Sequence, residues 1–60
     1  MQMYTVPEVA RLLKVKKGYI YELIYQGKLR AIRLSERRIR IPQEALHEFI
    51  EKENGRAVQN

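Results

Sequence analysis

The chain has no cysteine, no tryptophan and a single histidine, His47, in 60 residues. Without thiols there is no disulfide staple, no thiolate nucleophile and no cysteine-based zinc site. One histidine does not assemble a metal cluster unaided. No unbroken apolar run exceeds three residues, so nothing reads as a membrane span or a secretory signal, and the expected location is the cytoplasm. A chain this short forms one domain at most and buries only about 60% of the surface its unfolded form exposes. That leaves no room for an enclosed pocket with a catalytic shell. No nucleophile–base pair or carboxylate dyad is present, so neither an enzyme nor a cofactor is expected. Hydrophobic residues at 45% and charged residues at 32% give a globular balance.

Negative charge is also scarce. Seven acids face twelve Lys and Arg, for a net charge of +5. The surplus is concentrated. Residues 11–40 hold ten of the twelve cations and only two acids, Glu22 and Glu36, a local excess of eight positive charges. Residues 41–60 carry Glu44, Glu48, Glu51 and Glu53 against Lys52 and Arg56. Self-repulsion in the central segment destabilises a compact chain unless a partner offsets it, which points to a polyanion.

Thr5-Val6-Pro7-Glu8 has the spacing of a capping box, in which each end bonds the other's amide. It reads as a cap and not as a catalytic pair. Pro7 falls in the first turn, where its missing donor is harmless, and Tyr4 can staple onto Val9. Val6, Val9, Ala10 and Leu13 follow at helical spacing, predicting a first helix over 6–14. Ile20, Leu23 and Ile24 resume the pattern and Gly27 closes it, predicting a second helix over 17–26. Helices so close in sequence cross as a helix-turn-helix.

After Gly27 the period becomes two. Ile32 and Leu34 alternate with Arg33; Ile39 and Ile41 alternate with Arg38 and Arg40; Ser35-Glu36-Arg37 lie between. This predicts a hairpin with one apolar face and one arginine face. Pro42 fits the first position of a third helix whose buried stripe is Ala45, Leu46, Phe49 and Ile50, ended by Gly55. The expected fold is mainly α with a small β-hairpin, a winged helix-turn-helix of order α-α-β-β-α. One domain spans residues 4–53, with a flexible tail over 54–60.

Three segments carry a family resemblance: Tyr4-Thr5-Val6-Pro7-Glu8-Val9-Ala10-Arg11-Leu12-Leu13, then Ile20-Tyr21-Glu22-Leu23-Ile24-Tyr25-Gln26-Gly27-Lys28-Leu29, then Arg38-Ile39-Arg40-Ile41-Pro42-Gln43-Glu44-Ala45-Leu46. In this order and spacing they resemble the excisionase-type, MerR-related winged helix-turn-helix domains. The chain departs from that pattern at the turn before the second helix, where Lys16 and Lys17 replace a serine. It departs again at Glu22, often an arginine, and at a hairpin tip without glycine and one residue longer.

The resemblance implies double-stranded DNA as partner and a bacterial or phage origin. It implies either an architectural role in site-specific recombination, alongside a recombinase, or a small MerR-like transcription factor, and the residues do not separate the two. Several copies side by side on repeated sites are a further expectation. In such a fold the second helix enters the major groove. Its outward residues Lys17, Gly18, Tyr21, Glu22 and Tyr25, with Lys16 and Tyr19, are the candidate recognition set. Glu22 either accepts from a cytosine amino group or pairs with Gln26 or Lys17 in solvent. Tyr19 and Tyr25 either contact DNA or cover core edges. Arg33, Arg37, Arg38 and Arg40, with Ser35 on the wing and Lys28 and Arg30 flanking it, are the candidate backbone and minor-groove contacts. Arg33 or Arg40 pairing with Glu44 or Glu48 is the alternative. His47 is expected on the surface. A protein-binding adaptor using the acidic third helix is the competing class. RNA binding is weaker, since no aromatic strand pair suits it.

Overall fold

The computed structural model describes residues 2–57. Its elements run β1 (Met3–Thr5), α1 (Val6–Leu13), α2 (Lys17–Tyr25), β2 (Ile32–Ser35), β3 (Arg38–Pro42) and α3 (Gln43–Ala57). The mainly helical fold with a β-hairpin matches the winged helix-turn-helix expectation. The extra strand β1 was not anticipated. It pairs antiparallel with β3, so the sheet order is β1-β3-β2 and β3 is the hub. β3 also packs against α1 and α3.

The capping box forms as its spacing demands. The Thr5 amide donates to Glu8 Oε1 at 2.8 Å, and the Glu8 amide donates to Thr5 Oγ1 at 3.2 Å. The Thr5 amide bond holds the Glu8 carboxyl below its ordinary pKa, with Arg11 and Arg40 adding attraction. A depressed carboxylate stabilises the fold at neutral pH, and that contribution is lost as the pH falls through its folded value.

Both helices of the pair end in the same six-residue wrap. At the end of α2 the Lys28 amide donates to Leu23 O at 2.9 Å and the Gly27 amide to Ile24 O at 3.0 Å, with Gly27 at φ 77°. At the end of α1 the Val15 amide reaches Ala10 O at 2.9 Å and the Lys14 amide reaches Arg11 O at 3.2 Å, but the left-handed residue is Lys14, at φ 59°. A side chain in that region is strained by about 1 kcal/mol, which glycine avoids. Lys14→Gly is therefore expected to stabilise the fold by about 0.5–1 kcal/mol, raising the midpoint of thermal unfolding by a few degrees. An unchanged or lower midpoint by circular dichroism would contradict this.

The core gathers Val6, Val9 and Ala10 of α1, Ile20 and Leu23 of α2, Leu29 after it, Ile39 and Ile41 of β3, and Ala45 and Leu46 of α3. Tyr4, Leu13, Ile24 and Phe49 pack on its margin. Three expectations need correction here. Pro42 ends β3, paired with Met3, instead of opening α3. The third helix runs through Gly55 to Ala57, because an exposed helical glycine weakens a helix without stopping it; the rest of the expected tail, 58–60, lies outside the described residues. Ile50 is exposed, so the buried stripe of α3 is narrower than its spacing suggested.

The hairpin differs most. β2 and β3 pair Ile32 with Arg40 and Arg33 with Ile39, then Ser35 with Arg38. Direct partners share a sheet face. Ile32 therefore lies with Arg40, and Arg33 lies on the side of Ile39. The expected division into one apolar and one arginine face does not hold. Of the four alternating apolar residues, Ile39 and Ile41 are buried, whereas Ile32 and Leu34 are exposed. The extra residue at the tip is absorbed as a bulge in β2, leaving Glu36-Arg37 as the turn. Neither turn residue has positive φ. Such a turn splays paired strands, and the added twist of a bulge accommodates it.

Candidate nucleic-acid interface

Burial of Ile20 and Leu23 orients α2 and sends its other face to solvent. Lys16, Lys17, Gly18, Tyr19, Glu22 and Tyr25 are exposed; Tyr21 is half-buried. Tyr21 packs on the core margin and stacks on Tyr25, ring centroids 6.5 Å apart at 25°. Tyr25 is 71% exposed, so it presents a ring instead of covering the core. The i, i+4 spacing of the two tyrosines makes the stack possible.

The head of α2 is electrostatically unusual. Its N-cap is Lys16, with no side-chain cap, and its first turn holds no acid. The positive end of the helix dipole thus faces Lys16 and Lys17, where a carboxylate would be favourable. A helix N-terminus without a side-chain cap, flanked by two exposed lysines, has the chemistry that favours an anion.

On the wing, Arg33, Ser35, Arg37 and Arg38 are all exposed. Among the described residues, the ion pairs are Arg30–Glu48 at 3.3 Å and the exposed His47–Glu51 contact at 3.6 Å. Arg33, Arg37, Arg38, Lys28, Lys16 and Lys17 therefore face solvent without a carboxylate partner among the described residues. Two candidates leave this free set. Arg30 is held by Glu48, the partner expected for Arg33 or Arg40. Arg40 is half-buried, its Nη1 donating to Ile39 O at 3.1 Å, opposite Thr5 and close enough to attract Glu8. Both were placed by packing that periodicity does not reveal. Conversely, Lys14 is an exposed cation in the turn between α1 and α2 that the sequence reading assigned to the helix. Its signal was only its place beside Val15, where the apolar pattern breaks.

Among the described residues, no cluster of three or more His, Asp or Glu could hold a metal ion, and no helix is long and apolar enough to cross a membrane.

Residues 3–54 match the family model described as a helix-turn-helix domain. An excisionase of Streptomyces ambofaciens is 37% identical over 57 residues, covering 95% of this chain and 90% of that protein. The chain belongs to the excisionase-type helix-turn-helix family. Proteins from two strains of Mycobacterium tuberculosis, provisionally named as DNA-binding, are 40% identical over 50 residues; the chain spans 63% of their length and the match 83% of its own. No solved structure matches it significantly. This excisionase-type domain therefore presents, around one small core, a helix with an uncapped cationic head and an arginine-bearing hairpin. These are the two parts that the sequence nominated as its contact surfaces.

Proposed function

We propose that this chain binds double-stranded DNA sequence-specifically and acts as an architectural factor in site-specific recombination, as the name of its Streptomyces relative suggests. The observation that carries the reading is the set of cations, at the head of α2 and along the wing, without carboxylate partners among the described residues. α2 matches the width of the major groove. Lys16, Lys17 and the start of α2 hold phosphates, which sets the register of the helix on the duplex. Glu22, exposed and outside the ion pairs of the described residues, accepts from a cytosine amino group in this reading. Tyr21, steadied by the core margin and by Tyr25, offers a rigid apolar edge to a base or sugar. Arg37 and Arg38 at the wing tip hold the backbone beyond the helix. One such module buries about 600–1,000 Å² and binds modestly, so copies on adjacent sites or a tethered recombinase would supply the remaining affinity.

Selection of bound fragments from random duplex DNA, followed by affinity measurements at two salt concentrations, tests this. With about six phosphates neutralised, log K should fall against log salt with a slope of roughly −5. Enrichment of no common motif would remove sequence specificity, and failure to retain duplex at low salt would remove DNA binding altogether.

A further inference from the structure

Two apolar side chains of the wing, Ile32 and Leu34, are exposed, and Leu34 stands further out. Leu34 is 62% exposed. It is the residue skipped in the β2–β3 register, between the Arg33–Ile39 and Ser35–Arg38 pairs. A regular ladder would have set Leu34 opposite Arg38. The bulge takes it out of the ladder instead, and bulges serve to re-aim a side chain. A lone exposed leucine is ordinary on a protein surface. This one follows Arg33 directly and precedes Arg37 and Arg38, all exposed and without a carboxylate partner among the described residues. It is an apolar tip set in a cationic ribbon. That combination fits a surface with anionic rails and an apolar floor, which is a nucleic-acid groove.

We infer that Leu34 is a wedge that enters the minor groove of bound DNA, packs on sugars and base edges, and opens a base step. Arg33, Arg37 and Arg38 neutralise phosphates on either side and draw the backbones around it. Partial unstacking by an apolar side chain kinks DNA away from the inserted groove, which gives an architectural protein its bend. The inference rests on the DNA-binding reading above. Pairing of β2 with a second copy is the other use of an exposed edge, but four residues with an arginine among them discourage strand addition.

The test uses a duplex recovered by the selection, with 2-aminopurine replacing adenine at successive positions. The intact protein should raise fluorescence at one step, where stacking is lost. Leu34→Ser should abolish that rise, lower affinity about tenfold, and leave both the salt slope and the thermal midpoint unchanged. Leu34→Met should retain the fluorescence and the affinity. If Leu34→Ser binds and unstacks like the parent, the wedge is refuted. If it instead alters self-association in sedimentation without DNA, Leu34 serves an edge contact and the wedge is equally refuted. If the parent protein binds no duplex, the functional reading itself fails and takes the wedge with it.

Discussion

Replacing Arg37 and Arg38 together by alanine should weaken duplex binding by about 30-fold or more at low salt while leaving the fold unaltered. Two charge-assisted bonds to phosphate contribute on the order of 1 kcal/mol or more each. The effect should be uniform across sequences, because phosphate contacts carry no sequence information. It should also flatten the salt dependence by about two slope units, one per lost phosphate contact. The fold should survive because both side chains are exposed and neither takes part in an ion pair among the described residues. Removing them relieves repulsion within the wing. Arg30→Ala is the informative contrast. Its guanidinium is committed to Glu48 at 3.3 Å, an exposed contact worth little to stability, so its loss should change the slope less. Fluorescence anisotropy of a labelled duplex over a salt series decides the matter. An unchanged affinity and slope in the double variant would take the wing out of the interface and leave α2 to act alone.

Ile41→Ala should leave the chain largely unfolded near 37 °C. Ile41 is fully buried, in the central strand, opposite Tyr4 of β1. β3 is where the sheet, α1 and α3 all meet. Truncating a buried isoleucine costs about 2–5 kcal/mol, from lost transfer energy and the cavity left behind. A chain of this size has only about 3–5 kcal/mol to lose. Urea unfolding followed by circular dichroism should show the midpoint reduced or absent. Ile41→Val, with one methylene fewer, should cost only about 1 kcal/mol and keep a cooperative transition. DNA binding should vanish in parallel with the fold in the alanine variant, since β3 fastens the wing to the core. A thermal midpoint within a few degrees of the parent would mean that the domain is far better packed than its small core indicates.

The two variants separate two kinds of information in the chain. The capping box at Thr5 and Glu8, the helical stripes of α1 and α2, the left-handed close at Gly27 and the basic excess between residues 11 and 40 could all be read from the residues. So could the winged helix-turn-helix fold. The cap, the stripes and the close are settled by residues near one another in the chain, and the basic excess is a matter of composition alone. β1 was not legible, because a three-residue strand has no periodicity of its own and becomes a strand only when β3 offers it a partner. The faces of the wing were not legible either. Alternation says which residues share a side within one strand. It does not say how two strands register, and here the pairing of Ile32 with Arg40 set the apolar sides of β2 and β3 opposite each other. The same holds for charge. The sequence by itself determined how many cations this protein carries and in which segment they fall. Only the tertiary structure decided that Glu48 takes Arg30, that Arg40 lies along the sheet beside the cap, and that Arg33, Arg37 and Arg38 have no carboxylate partner among the described residues. Ion pairing and register depend on distances across the fold, and those exist only once the core has closed.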